Sequence, residues 1–224
     1  MRYDILLFDL DGTLLNFEAS ENAALKRLLK VKGYGENILE TYSGVNKGLW
    51  RLYENGIITM AELLNTRFKK TMEIHGVGID GQEWEKEYRQ YLGEYAFIID
   101  GADSVLERLS QSHRLFAITN GVGDTQMSRL KLAGLLQYFE KIFISQLIGA
   151  QKPSKEFFDH VMKNIEDFDI KKALVIGDSI TADISGGNNA GIDTCLVNLK
   201  NINYENAYNC TYEINSLEEL CKIC

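Results

Sequence analysis

Ile5-Leu6-Leu7-Phe8-Asp9-Leu10-Asp11-Gly12-Thr13 is the stretch on which the fold turns. Four consecutive apolar residues read as a strand buried on both faces, as in a parallel sheet. The run then breaks into two acids separated by one leucine, followed by Gly-Thr. Alternate side chains of an extended chain point the same way. Asp9 and Asp11 can therefore face one pocket if the strand geometry persists past Asp9. Gly12 lets the backbone turn and approach a ligand closely. Two carboxylates at a strand's carboxyl end point to a metal or a proton-transfer site. A strand running into a solvated acidic turn is the plainer alternative, and the rest of the chain argues against it.

After Thr13 the pattern becomes helical for about eighty residues. Ala23, Leu25, Leu28, Leu29 and Val31 recur at roughly helical spacing, and Gly33-Tyr34-Gly35 ends that stretch. A second helix is expected over about 38–54, and Thr59-Met60-Ala61-Glu62 is a capping box that opens a third. A fourth runs over about 82–95. Four helices with short joints predict a small antiparallel bundle over residues 16–96, inserted into a core formed by 1–15 and 97–224.

From Asp100 onward strands alternate with helices: Leu115–Ile118, Ile142–Ile144, Ala173–Ile176, Thr194–Val197 and a short strand near Tyr212–Ile214. Pro153, the one proline, suits the first turn of a helix running to about Asn164. Alternation of this kind predicts an α/β fold, a Rossmann-like, doubly wound parallel sheet with ligands at the strands' carboxyl ends.

The polar clusters share one placement. Asp9 and Asp11 follow the first strand, Thr119, Asn120 and Gly121 the second, Lys152 the third, and Asp178 and Asp183 the fourth. In a parallel sheet all of these lie on one edge. Together they describe a chemistry. A carboxylate can attack phosphorus. A second carboxyl group can protonate the leaving alkoxide and later activate water. Hydroxyl, amide and backbone N–H groups can hold phosphoryl oxygens, and lysine offsets their charge. Carboxylates and a phosphate dianion repel, by about 4 kcal/mol per unit-charge pair at ~4 Å and an effective dielectric of ~20. A divalent cation, Mg²⁺, is therefore expected.

Composition narrows the partners. A net charge of −8 over 224 residues argues against nonspecific binding to nucleic acid or to an anionic membrane. The absence of a long apolar segment or signal-peptide pattern predicts a cytoplasmic protein. A monomer is compatible with the sequence, which leaves the oligomeric state open. Cys195, Cys210, Cys221 and Cys224 lie near the C-terminus and read as free thiols. Gly121-Val122-Gly123 and the Gly186–Gly191 run read as turn and helix-packing glycines, since neither has the setting of a nucleotide cradle.

The four clusters, Asp9-Leu10-Asp11-Gly12-Thr13, Thr119-Asn120-Gly121, Lys152-Pro153 and Gly177-Asp178-Ser179 with Asp183, resemble the four motifs of the haloacid dehalogenase superfamily, in order and across the whole chain. The helical insertion resembles that family's cap of the first type. The resemblance implies Mg²⁺ dependence and an aspartyl-phosphate intermediate. It assigns Asp9 as nucleophile and metal ligand, and Asp11 as general acid/base with a metal-binding backbone carbonyl. Thr119, Asn120 and Lys152 become phosphate-binding residues, Asp178 a metal ligand and Asp183 a support of the metal site. The stretches Leu49–Thr59, Glu62-Leu63, Arg67-Phe68 and Gly177–Ile184 further resemble the pyrimidine 5′-nucleotidase branch. The expected substrate is a small phosphorylated metabolite, a nucleoside 5′-monophosphate with a pyrimidine base. Phe17 and the aromatics Tyr42 and Trp50 are candidates to stack on that base. A sugar-phosphate phosphatase or mutase, a dehalogenase of the same superfamily and a receiver-like signalling domain are the alternatives. The last needs only about half this length.

Overall fold

The computed structural model describes residues 2–204 and 208–224. The chain divides into two compact units, one comprising the residues up to Phe17 together with Phe97–Cys224, the other Glu18–Ala96. The first break falls two residues later than the sequence pattern places it. Asn16 donates its backbone N–H to Phe97 O at 2.8 Å and Leu15 bridges Ile98, so the entry to the insertion stays tied to the core unit.

In chain order the elements are β1 (Ile5–Phe8), α1 (Phe17–Lys32), α2 (Leu39–Glu54), α3 (Met60–Ile74), α4 (Gly81–Gly93), α5 (Ala102–Leu109), β2 (Arg114–Thr119), α6 (Gly123–Leu132), β3 (Lys141–Ile144), α7 (Ser145–Ile148), α8 (Lys155–Lys163), β4 (Ala173–Gly177), α9 (Ser185–Ala190), β5 (Asp193–Val197), β6 (Tyr212–Ile214) and α10 (Leu220–Ile223). The six strands form one sheet in the order β3-β2-β1-β4-β5-β6, with every neighbouring pair parallel. The order reverses at β1, whose neighbours are β2 and β4, so the carboxyl ends of β1, β2 and β4 bound the crevice where such sheets bind ligands.

All four residues of β1 are buried, and their alternation feeds two cores. Leu6 and Phe8 pack with Leu115, Leu174 and the α5 residues Val105, Leu106 and Leu109. Ile5 and Leu7 pack with Phe116, Phe143, Val175 and the α8 residues Phe157, Phe158 and Val161. A strand covered by helices on both sides has no polar face, which is why β1 reads as an unbroken apolar run.

Pro153 is not in the first turn of α8. Ser154 is the N-cap, its hydroxyl accepting from the Phe157 N–H, and Pro153 stands outside the helix on a cis Lys152-Pro153 bond. The glycines near the C-terminal half behave as packing residues. A Cβ on Gly186 would meet the Phe158 ring at 2.4 Å, and one on Gly187 would meet Thr194 at 2.5 Å.

In the helical unit α3 opens with the expected capping box: Thr59 Oγ1 accepts from the Glu62 N–H, and the Glu62 carboxylate accepts from the Thr59 N–H at 2.7 Å. Its interior is aromatic. Tyr42 lies 4.9 Å from Phe68 and 5.9 Å from Tyr88, ring centre to ring centre. The Tyr42 side chain is fully buried there, so it is not available to stack on a nucleobase. Trp50 is half-buried and packs edge-on against Tyr53. No helix among the described residues is long and apolar enough to cross a membrane, and all four cysteines are unbridged.

Candidate active site

Four segments bring their polar residues to the carboxyl edge of the sheet. Asp9 directly follows β1. Beyond it the chain turns tightly, with the Leu14 and Leu15 N–H groups both donating to Leu10 O. Gly12 sits in that turn at φ 89°, and a Cβ there would lie 2.2 Å from Asp178 Oδ2. Only glycine both adopts this backbone easily and leaves room for the carboxylate from β4. Gly177 ends β4 for a similar reason: a Cβ would lie 2.2 Å from Asp183 Oδ2. After Ser179 the chain makes one wide π-type turn, Ile180–Ile184, and this turn swings Asp183 back under the site.

Asp9, Asp178 and Asp183 each offer a carboxylate oxygen, and these oxygens lie within 4.8 Å of one another. Lys152 enters the same cluster. Its ammonium donates to Asp9 Oδ1 at 2.7 Å, to Asp183 Oδ1 at 2.6 Å and to Ile118 O at 3.0 Å. The second oxygen of Asp183 accepts from the Ser179 N–H at 3.1 Å. Three carboxylates thus face one buried ammonium. The electrostatics reflect that excess. Burial, with Asp183 and Asp178 adding repulsion against the pull of Lys152, raises Asp9 well above the ordinary aspartate range. Burial and the neighbouring Asp183 push Asp178 up to about 7. Burial disfavours the Lys152 charge, but Asp183 and Asp9 outweigh it and raise the ammonium's pKa. A cluster of hard oxygen donors short of positive charge fits a hard divalent cation.

Asp11 stands next to that cluster, its charge adding to the repulsion on Asp178. Its carboxylate is turned to α6, where Oδ2 accepts from Gln126 Nε2 at 2.8 Å and Oδ1 pairs with Arg129 Nη1. Thr119 lies beside this pair, its hydroxyl oxygen accepting from Gln126 Nε2 at 2.9 Å and from the Gly121 N–H at 3.0 Å. The Asn120 side chain is otherwise engaged. Its Oδ1 accepts from the Lys152 N–H and its Nδ2 donates to Lys152 O, both at 2.9 Å, so the amide staples the loop that carries the lysine. No motif in the sequence marks Gln126 and Arg129. Their one sequence signal is a three-residue spacing on the helix that follows Thr119-Asn120-Gly121, which puts them on one face. That face is buried, with Gln126 2% and Arg129 0% exposed.

A doubly wound parallel sheet with a carboxylate–lysine cluster at its topological switch point defines an α/β protein whose acidic cluster fits a divalent cation. The family model described as "Haloacid dehalogenase-like hydrolase" matches residues 6–197, and the chain belongs to that family of enzymes. It is 42% identical to the HAD-family protein YfnB of Bacillus subtilis (strain 168) over 99% of this chain and 95% of the relative. The crystal structure of YfnB bound to magnesium, which reveals interdomain movement, aligns with a TM-score of 0.94 over 100% of this chain and 99% of that one. The chain is 40% identical to the pyrimidine 5′-nucleotidase PynA of Streptococcus pneumoniae (strain ATCC BAA-255 / R6), covering 98% of this chain and 94% of the relative. It is 30% identical to the pyrimidine 5′-nucleotidase YjjG of Escherichia coli (strain K12), covering 98% and 97%.

Proposed function

We propose that this enzyme is a Mg²⁺-dependent phosphomonoester hydrolase whose substrates are pyrimidine nucleoside 5′-monophosphates. The observation that carries the reading is the different surroundings of the two acids that follow β1: Asp9 sits in an acid cluster with a buried lysine, whereas the Asp11 carboxylate is held by Gln126 and Arg129. Nucleophile and proton carrier need such different surroundings.

Asp9 attacks phosphorus through its carboxylate. Lys152 holds Oδ1, which fixes the carboxylate and leaves Oδ2 as the attacking oxygen. As the Asp9–phosphorus bond forms, the bond to the nucleoside 5′-oxygen breaks, and Asp11 supplies the proton that the departing oxygen takes up. Asp11, now ionised, removes a proton from water as that water attacks the aspartyl-phosphate. Inorganic phosphate leaves and Asp9 is restored. Thr119 steadies the phosphoryl oxygens through its hydroxyl. Asn120 acts through its backbone N–H and by holding Lys152. The carboxylates of Asp9 and Asp178 and the Asp11 carbonyl would hold Mg²⁺, which supplies neutralisation between the phosphate dianion and the acids. Asp183, with both oxygens committed to Lys152 and Ser179, supports the site from below.

The base preference rests on the two pyrimidine 5′-nucleotidases at 40% and 30% identity. Phosphate release, measured with and without Mg²⁺ over nucleotides, sugar phosphates and small organic phosphates, tests it. Uridine and thymidine monophosphates are expected to lead. Sugar phosphates turned over at least about tenfold more efficiently would refute the substrate while leaving the phosphatase chemistry standing.

A further inference from the structure

Gln126 and Arg129 are buried polar side chains on α6 that the mechanism above does not use, and they touch two groups that it does. Their donors and acceptors can be assigned without ambiguity. A guanidinium only donates. Arg129 Nη1 lies 2.9 Å from Gln126 Oε1, so that atom must be the amide oxygen. The amide nitrogen is then the end that faces both Asp11 Oδ2 at 2.8 Å and Thr119 Oγ1 at 2.9 Å, giving one proton to each. The Gly121 N–H supplies a second proton to the same Thr119 oxygen at 3.0 Å. A hydroxyl with two incoming hydrogen bonds has only its own O–H left to offer. Thr119 is thereby committed to donate, as a phosphoryl oxygen requires. With the amide turned over, the Thr119 proton would instead be drawn to the glutamine oxygen.

The surroundings enforce this arrangement. A Cβ at position 121 would lie 2.6 Å from Gln126 Cδ, so Gly121 makes room for the amide rather than for a nucleotide. The Arg129 guanidinium lies 5.3 Å from the Phe17 ring centre, within cation–π range.

We propose that Gln126 and Arg129 are positioning residues for the reaction, setting the hydrogen-bond polarity of Thr119 and the placement of Asp11 through one relay. This rests on the phosphatase reading. Two substitutions separate it from a packing role. Gln126→Glu keeps the size and the contact with Arg129 but replaces the amide donor with an acceptor. Gln126→Met fills similar space and offers neither. If polarity is what matters, Gln126→Glu is the worse of the two. Its inhibition constant for inorganic phosphate should rise about 10- to 100-fold, the worth of one hydrogen bond to a charged oxygen, with kcat falling as well and Gln126→Met intermediate. If the glutamine only packs, the order reverses, because Gln126→Glu is the closer replacement; that order, or both variants within twofold of the parent, overturns the proposal. Arg129→Lys and Arg129→Met repeat the test without touching the amide. Lysine can still donate to Asp11 and to Gln126, so it should retain activity within about threefold, whereas Arg129→Met should lose at least about tenfold, more for esters with poor leaving groups. Equal activity of these two also overturns it. Melting temperatures of all four verify folding. A parent inactive on every phosphate ester refutes the phosphatase reading and this proposal with it; an active parent with unchanged variants refutes this proposal alone.

Discussion

Each unit of this protein buries a charged network, and the two are built differently. In the helical unit Arg67 and Glu85, both about 3% exposed, form a bidentate pair at 2.6 and 2.7 Å. Asn46 accepts from Arg67 Nη1 at 3.2 Å and passes the chain on to Glu21 at 2.8 Å. The Arg67 guanidinium also lies 4.8 Å from the Tyr88 ring centre. The buried pair is balanced in charge. In the core unit three carboxylates cluster at one lysine, and burial, with the repulsion of neighbouring acids, raises two of them out of their ordinary range. A balanced buried pair fixes packing. An unbalanced one holds electrostatic energy that a bound cation can release, and such perturbed groups cluster at functional sites.

The two networks should respond in opposite ways when each loses one charge. Asp9→Asn keeps shape and loses the attacking oxygen's charge, so turnover should fall to background while the circular dichroism spectrum and fold survive. More than a few per cent residual activity, with deamidation excluded, would remove Asp9 from the nucleophile's role. Asp11→Asn should cost roughly 10²–10⁴-fold in kcat, with a smaller loss on nitrophenyl phosphate than on an alkyl ester. Equal losses on both would make Asp11 a structural residue.

Arg67→Met should do the opposite. It leaves the buried Glu85 with Arg89, 3.3 Å away and partly exposed, as its remaining cation, at a cost of up to about 3–5 kcal/mol in stability. Denaturant unfolding should show that loss, and the double variant Arg67→Met/Glu85→Leu should recover much of it. A double variant no more stable than the single one would mean that this network is not simply structural.

A smaller effect sharpens the core side. Asp178 is pushed up to about 7 in the folded chain, against ~3.9 for an unfolded aspartate. Between these values the native state holds a proton that the unfolded state has lost, so the metal-free protein should lose stability as pH rises from about 4 through 7. Above that range the ionised cluster calls for a cation. Mg²⁺ should therefore raise the melting temperature more at pH 8 than at pH 5.5, and Asp178→Asn should flatten both trends. An equal Mg²⁺ response at the two pH values would place the cation elsewhere. The smallest change expected is in Phe17→Ala. If Phe17 stacks on the base, the Michaelis constant for a pyrimidine nucleotide should rise about fivefold or more, against little change for nitrophenyl phosphate. Parallel changes would show that Phe17 serves Arg129 instead.

Much of the core was legible in one dimension because it depends on local pattern. The apolar run of β1, the alternation of strands and helices after Asp100 and the Thr59 capping box each lie within a few residues of one another, and each marks its element directly. In a parallel sheet the residues just past each strand's carboxyl end share one edge, so the crowding of Asp9, Thr119, Lys152 and Asp178 could be read from their positions alone. Which group each would touch could not. Lys152 meets Asp9 across 143 residues, and Arg129 and Gln126 meet Asp11 across 118 and 115. Such pairings depend on rotamers and on where a helix face lands. From the sequence, Asp9 and Asp11 can face one pocket if strand geometry persists past Asp9; the chain turns at Gly12, and although both acids act on Asp178, one bonds to the lysine and the other to α6. The burial of Tyr42, the Asn120 staple and the donor polarity of Thr119 were settled in the same way, by packing between residues that no local pattern connects.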